Sequence, residues 1–307
     1  MEIIADTTQF YLKRETAVAI GKFDGIHIGH RRLLEEILEQ KKKGLAACVF
    51  TFDPAPAVLF GLSDGKELTT REEKRVLLER MGVDILIEFP LTAETAAMPP
   101  EDFVTEILVK QMNVRFIAAG TDLSFGAGGK GNAGLLEKMA GESEYEVKTI
   151  EKVRFGGKEI SSTYVREQVE AGNMLLTEQL LGRPYTFIGK VVHGNRIGRT
   201  IGMPTVNLLP AASKLVPPNG VYYSGVLYHG KRYRAISNVG YKPTVTEERV
   251  LGVESYLYDF HEEIYDKEIE VSLYEFKRPE KRFDSLEDLK EQLVQDISAG
   301  EIWHPER

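Results

Sequence analysis

The chain has 307 residues, of which 42% are hydrophobic and 28% charged, and its net charge is −8. That length accommodates two modest cores. The acidic balance excludes a broad polyanion-binding face, because nucleic-acid affinity comes largely from clustered Lys and Arg, and no apolar run reaches the roughly 20 residues of a membrane-spanning helix.

The amino terminus, Met1-Glu2-Ile3-Ile4-Ala5-Asp6, shows no basic segment followed by an apolar one, so no secretory signal is visible. Cys48 is the single cysteine and lies inside the apolar run Ala46 to Phe52. It has no internal disulfide partner and reads as a small core residue of a cytoplasmic protein with no nucleic-acid or membrane partner. The basic run Lys41-Lys42-Lys43 sits where a helix ends and complements its dipole, so any phosphate site must be local.

From residue 17 to about 180, short apolar runs alternate with amphipathic segments. Ala17 to Gly21, Leu45 to Phe52, Val83 to Phe89, Val114 to Gly120 and Tyr145 to Ile150 read as buried strands. Helices are expected at Arg31 to Lys43, where Leu33, Leu34, Ile37 and Leu38 share one side and Gly44 supplies the stop. Others are expected at Arg71 to Arg80, at Glu101 to Met112 behind Pro99-Pro100, and at Ala133 to Ala140. This alternation implies a doubly wound parallel sheet with helices on both faces, which binds ligands outside the carboxyl ends of its strands. After Leu181-Gly182-Arg183-Pro184 the pattern becomes strands separated by turns. Tyr185 to His193, Val221 to Tyr228, Lys231 to Val239, Val253 to Phe260 and Ile269 to Lys277 are strands, with His229-Gly230 as a tight hairpin connection. Closure into a small antiparallel barrel would remove their exposed edges. A last helix over Ser285 to Ser298 would cover the barrel with a stripe of Leu286, Leu289, Leu293 and Ile297. The expected fold class is α/β followed by β, in two domains over residues 1–182 and 183–307.

Gly21-Lys22-Phe23-Asp24-Gly25-Ile26-His27-Ile28-Gly29-His30 spans the turn from the first strand of the alternating pattern into its helix. Gly25 and Gly29 let the backbone approach a ligand, the new helix offers unpaired N–H groups to an anion, and two imidazoles add donors. Taken alone, an HxxH there is more often a turn with surface histidines. Ile160-Ser161-Ser162-Thr163-Tyr164-Val165-Arg166 combines hydroxyls suited to a helix cap with an Arg one turn later that can fork onto phosphate. In the second domain the Gly-rich, basic loop from Gly194 to Asn207 could wrap a polyphosphate, although it lacks the spacing of a P-loop. Glu254 shares its expected strand face with Tyr256, Tyr258 and Phe260. A carboxylate there needs a partner or a job, or else reaches solvent at an edge.

The first block resembles the HxGH motif of nucleotidyltransferases. In its extended form FDGxHxGH, and with the ISSTxxR-like segment at 160–166, the chain resembles the prokaryotic bifunctional riboflavin kinase/FMN adenylyltransferase (FAD synthetase) family. Gly202-Met203-Pro204-Thr205-Val206-Asn207 is similar to that family's G-x-PTAN segment with Val206 for the usual Ala, and Val253 to Phe260 is similar to its VE…DF strand. Pro218 to Tyr222 and Asn238 to Thr244 are similar to further segments. The resemblance implies that MgATP phosphorylates riboflavin to FMN and that a second MgATP adenylates FMN to FAD, releasing pyrophosphate. It implies that Phe23, Gly25, His27, His30, Ser162, Thr163 and Arg166 bind ATP in the first domain, with His27 and His30 catalytic, and that Asp122 and Phe125 bind flavin there. In the second domain it assigns Gly194, Arg199, Gly202, Thr205 and Asn207 to ATP, Thr205 and Asn207 to Mg2+, and Glu254 to the proton of the riboflavin 5′-hydroxyl. Flavins and ATP are the expected partners.

Three features depart from the family pattern. Lys22 stands where Asn usually precedes FDG, Asp53-Pro54-Ala55-Pro56 lacks the His of a PHP turn, and Asp122-Leu123-Ser124-Phe125-Gly126 lacks an aromatic of DFxFG. All three fall on adenylyl transfer. Either Lys22 supplies the positive charge of the missing His, or that step is slow, altered in substrate or lost. A single-activity descendant and a non-catalytic flavin-responsive regulator are the alternative readings.

Overall fold

The computed structural model describes residues 1–62, 64–194, 202–243 and 249–303, apart from the side chains of residues 142, 242, 243, 249 and 250. The chain divides into two compact units, Met1–Ser162 and Thr163–Arg307.

The first unit is built on six parallel strands in the order β1-β4-β3-β2-β5-β6. They are β1 Glu2–Ala5, β2 Thr16–Ile20, β3 Ala46–Asp53, β4 Ile85–Pro90, β5 Val114–Gly120 and β6 Glu146–Ile150. Edge strand β1 was not expected from the sequence; the other five were. Helices α1 Ile28–Glu39 and α2 Arg71–Arg80 pack on one face, where Leu34, Ile37 and Leu78 meet Ala17, Ala19, Val49 and Leu86. The opposite face buries Val18, Ile20, Cys48, Phe50, Ile85 and Ile87 under α3 and α4, through Phe103, Ile107 and Leu136. Alternate residues of β2 thus serve opposite cores, as the period of a strand requires. Helix α3 starts at Pro100–Asp102 and continues over Phe103–Gln111 with a wider coil, in which the Met112 N–H reaches the Ile107 carbonyl at 2.9 Å; α4 is Ala133–Ser143. Burial pushes the Cys48 thiol well above its ordinary value, so Cys48 is an inert core residue. The chain runs outward from β2 to β3 on one side and to β5 on the other. The carboxyl end of β2 is therefore the topological switch point, the position where such sheets bind ligands.

The second unit closes six antiparallel strands into a barrel, β10-β13-β12-β11-β14-β9. After a small hairpin of β7 Arg154–Phe155 and β8 Lys158–Glu159, which belongs to the first unit, the barrel strands are β9 Tyr185–Val192, β10 Val206–Leu208, β11 Gly220–Tyr228, β12 Lys231–Pro243, β13 Arg249–Leu257 and β14 Glu268–Pro279. β10 is the one barrel strand that the sequence pattern hid, because it is three residues long. His229 at φ 47° and Gly230 at φ 77° form the two-residue hairpin turn with both central residues left-handed. Helices α5 Ser162–Glu170 and α6 Met174–Leu181, grouped with the first domain on sequence, fall almost wholly in the second unit, where α6 packs on β9 and β14.

The last helix, α7 Leu286–Ile302, departs from the expected apolar stripe: Leu286 is exposed, and the buried residues are Asp296 and Gly300. The Asp296 carboxylate receives Lys277 Nζ at 2.6 Å and Arg278 Nε at 3.0 Å from β14, and an added Cβ at Gly300 would lie 2.2 Å from the Tyr258 hydroxyl. Leu289, Leu293 and Ile297 of the expected stripe are half-buried, and charge pairing and a close backbone approach complete the seating of this helix. Burial alone would raise the Asp296 carboxyl, but the hydrogen bonds from Arg278 and Lys277 outweigh it and hold the group below its ordinary value. Its contribution to stability is thus complete above the unfolded-state value and is lost as pH falls through the lower folded one. Asp296→Ala removes the buried carboxylate shared by the half-buried Lys277 and Arg278 and should cost about 3 kcal/mol in denaturant unfolding near neutral pH, a difference that shrinks in acid.

Candidate active sites

In the first unit the loop after β2 is forced into an unusual path. Phe23 at φ 49° and Ile26 at φ 40° both occupy the left-handed region although neither is glycine, and both side chains are buried. Such conformations cost about 1–3 kcal/mol each and persist where packing imposes them. The loop is also tied down by polar contacts. Asp24 Oδ1 accepts the N–H groups of Leu68 at 2.8 Å and Thr69 at 3.3 Å, and the Gly25 N–H donates to Thr69 Oγ1 at 3.1 Å.

This path delivers His27 as the N-cap of α1, where its Nδ1 accepts the His30 backbone N–H at 3.3 Å. A neutral His27 therefore carries its proton on Nε2, leaving an N–H donor on the far side of the ring. His30, one turn on, stacks against it with ring centroids 3.7 Å apart and rests on the Phe23 ring at 5.1 Å. An added Cβ at Gly29 would come within 3.1 Å of the His27 ring, so a side chain there would press on the imidazole. Burial, reinforced by His27 and then Lys74, holds the His30 imidazole well below its ordinary pKa, and its Nδ1 is buried without a hydrogen-bond partner. A buried polar atom left unpaired at a ligand site is what an incoming donor or proton would satisfy.

His27, Gly29 and His30 line a cavity of about 290 Å³ at the carboxyl ends of the strands. Asp122, Leu123 and Ser124 after β5, Lys152 after β6, and Ser161 and Ser162 form its other walls. Ser162 Oγ donates to the Asp24 carbonyl at 2.9 Å, so the ISST segment closes directly on the FDG turn. Thr163 and Arg166 follow on α5, the first exposed and the second half-buried.

In the second unit Pro204 and Thr205 lead into β10, which lies between β9 and β13. The register pairs Asn207 directly with Glu254, and Glu254 in turn with Asn238 of β12. Thr205 Oγ1 donates to Glu254 Oε1 at 2.5 Å. Val253, Ser255 and Leu257 are buried while Glu254 and Tyr256 are half-exposed, so the alternation expected from the sequence holds as far as Tyr256 and the strand ends at Leu257. Asn207 is buried, and a Cβ at Gly194 would lie 2.5 Å from its Nδ2, so the end of β9 passes tightly over the carboxamide. A cleft of about 50 Å³ opens beside Thr205, between Val191, Phe260, Ile264 and Tyr265. Gly202 takes φ 80°, a value that suits glycine.

The FAD synthetase family matches residues 10–164 of this chain, and the riboflavin kinase family matches residues 181–303. The bifunctional riboflavin kinase/FMN adenylyltransferase of Listeria monocytogenes is 36% identical over 293 residues, covering 94% of this chain and 93% of that protein. The chain belongs to the bifunctional riboflavin kinase/FMN adenylyltransferase family. The Escherichia coli member is 38% identical over 290 residues, covering 93% of this chain and 92% of its own. A solved structure from Streptococcus pneumoniae, described as a macrolide-efflux protein, aligns with a TM-score of 0.84 at 31% identity over 98% of this chain and 99% of that one. Among the described residues no helix is long and apolar enough to cross a membrane.

Set against the family pattern, His27, His30 and Ser162 come together around one cavity, and Thr205, Asn207 and Glu254 around another position. Phe23 and Phe125 do not reach the first cavity. Phe23 supports His30 from the core, and Phe125 turns inward to pack on Phe103 at 5.2 Å while its backbone pairs with Gly131. Gly25 likewise lies off the cavity wall, with its N–H engaged by Thr69. Asp122 lines the cavity and meets Lys152 Nζ at 3.4 Å, while Leu123 stands where the family carries an aromatic. Arg199 and Thr244 lie outside the described residues. The residues that the sequence reading missed are Thr69, Lys74 and Lys152. The capping box Thr70–Glu73, with bonds of 3.1 and 3.2 Å, starts α2, and its Thr-x-x-Glu spacing is the sequence signal that could have pointed to this polar segment.

Proposed function

We propose that this chain makes FAD from riboflavin in two ATP-dependent steps at two separate sites. Phosphorylation of riboflavin to FMN belongs to residues 183–307, and adenylyl transfer from ATP to FMN, with release of pyrophosphate, belongs to residues 1–182. The observation that carries this reading is that each compact unit holds its own cluster: stacked His27 and His30 at the switch point of a sheet in one, and Thr205, Asn207 and Glu254 on adjoining barrel strands in the other.

In the kinase step Glu254 accepts the proton of the riboflavin 5′-hydroxyl, whose oxygen attacks the γ-phosphorus of ATP, and ADP leaves. The Thr205 hydroxyl orients that carboxylate. Among the described residues no cluster of three His, Cys, Asp or Glu side chains offers a metal site, whereas Thr205, Asn207 and Glu254 gather oxygen atoms suited to a hard cation that keeps most of its waters. Thr205 and Asn207 would hold the Mg2+ carried by ATP, which neutralises charge building on the phosphates. Gly194, Gly202 and Arg199 complete this ATP site.

Adenylyl transfer needs no base, because the phosphate of FMN is already an anion at neutral pH. Its oxygen attacks the α-phosphorus and pyrophosphate departs. His27, through Nε2–H, and His30 bind the phosphates and stabilise charge on the leaving group. Ser162, Thr163 and Arg166 act on the same phosphates, with Arg166 as the fork, and Asp122 and Leu123 face the flavin. The protein is cytoplasmic, with no nucleic-acid or membrane partner.

Chromatography of flavins after incubation with MgATP tests both halves. Riboflavin should yield FMN and FAD, and FMN should yield FAD; FMN accumulating without FAD from either substrate would contradict the second half. Gly194→Ala should push the Asn207 carboxamide aside and lower kcat/KM of the kinase about tenfold while sparing adenylylation, measured with riboflavin and FMN in separate assays.

A further inference from the structure

Lys74 projects from the second turn of α2 and is almost wholly buried. Its Nζ donates to the Lys22 carbonyl at 3.2 Å, an oxygen that also accepts Thr51 Oγ1 at 3.3 Å. Among the described residues this is its one hydrogen bond, and no carboxylate comes within salt-bridge distance of it. The neighbouring carboxylate, Glu73, is engaged in the capping box with Thr70. Other buried charges among the described residues have visible partners: Glu88 meets both Arg71 and Arg75, Asp296 meets Lys277 and Arg278, and the Lys214 ammonium lies 4.4 Å from the centroid of the Tyr185 ring. A buried ammonium with two N–H donors unused and no counter-ion is expensive, and it is retained where something charged arrives to balance it.

The position of Lys74 says what arrives. The residue whose carbonyl it holds, Lys22, lines the cavity beside Gly21, His27 and His30, and Lys74 is close enough to His30 to act on its charge. The turn after β3, where the family pattern has a histidine, here presents Ala55, and the Lys22 side chain is exposed at the cavity and is not itself buried there. We propose that Lys74 is a positioning residue of the adenylyltransferase site, which fixes the Gly21–Gly25 turn through the Lys22 carbonyl and supplies a buried positive charge that the triphosphate of ATP neutralises. This inference rests on the adenylyltransferase reading above. It adds a second, buried cation to the exposed Lys22 side chain that the sequence reading offered in place of the missing histidine.

Three full-length variants test it. Lys74→Met removes the charge and the hydrogen bond, Lys74→Gln keeps a donor without charge, and Lys74→Arg keeps the charge. Met and Gln should each raise KM for ATP in FMN adenylylation by at least about tenfold with a smaller change in KM for FMN, and Arg should recover most of the loss. Kinase activity should stay at the wild-type level in all three. Inorganic tripolyphosphate, titrated calorimetrically in the presence of saturating riboflavin and MgADP to occupy the kinase site, should bind wild type and Arg but bind Met and Gln at least about tenfold more weakly. The charged or titratable groups acting on His30 are His27 and Lys74. Removing the cation makes His30 easier to protonate, so the acid limb of the adenylylation profile should move to higher pH in Met and Gln. A purely structural role for Lys74 would not move that limb. KM for ATP, tripolyphosphate affinity and acid limb all unchanged in Gln would overturn the proposal. Absence of FMN adenylylation in the wild type would instead overturn the reading on which it rests, and the tripolyphosphate titration would still judge Lys74.

Discussion

Glu254→Gln is expected to lower riboflavin phosphorylation about 10²- to 10⁴-fold while FMN adenylylation stays within about twofold of wild type, the loss being that of a positioned general base. The substitution is nearly isosteric, and the amide keeps an oxygen to accept the Thr205 hydroxyl, so β13 and its pairing with β10 have no reason to change. What disappears is the ability to take a proton from the 5′-hydroxyl. The effect should therefore fall on kcat, with KM for riboflavin and for MgATP shifting little. Initial rates at saturating substrates, read by flavin chromatography, separate this outcome from a folding defect, which would also move the thermal transition of the barrel. An Asn207→Ala variant would behave differently, raising KM for MgATP.

The second large effect is expected for His30→Ala, with FMN adenylylation falling about 10²- to 10³-fold and riboflavin phosphorylation unchanged, in line with the loss of one preorganised donor at a developing charge. His30 lies between the His27 ring and the Phe23 ring, so truncation also frees His27 to leave its N-cap position. His30→Gln restores a neutral donor of similar reach and should recover part of the rate, while His30→Arg, which places a permanent cation beside Lys74, should not. Single-turnover measurement of pyrophosphate release from ATP and FMN checks all three.

The features legible in the sequence are those written in local spacing. His27 and His30 declare themselves because a strand–turn–helix passage puts residues three apart on one face of the first helical turn, and the alternation in β13 sets Glu254 apart from the inward Val253 and Ser255. Features that depend on distant pairing were hidden. Phe23 and Phe125 look like site aromatics in their motifs, yet a motif cannot say whether a ring turns toward a ligand or toward Phe103. Gly25 reads as a backbone approach to phosphate until Thr69, 44 residues later, is seen to take its N–H. Lys74 is invisible for the same reason: its meaning lies in a carbonyl 52 residues upstream. β10 escaped because three residues carry no period, and the apolar stripe of α7 gave no sign that its most buried contacts are the ion-pair cluster around Asp296 and a glycine.

That two independent ATP sites act in sequence is tested most directly by mixing the two variants. Alone with riboflavin and MgATP over a short incubation, Glu254→Gln should yield little FMN or FAD, and His30→Ala should accumulate FMN with little FAD. Combined in one vessel they should make FAD, because FMN released by the second variant reaches the intact adenylylation site of the first. A mixture that still produced no FAD, while His30→Ala alone supplied ample FMN, would contradict the assignment of the two reactions to separate clusters.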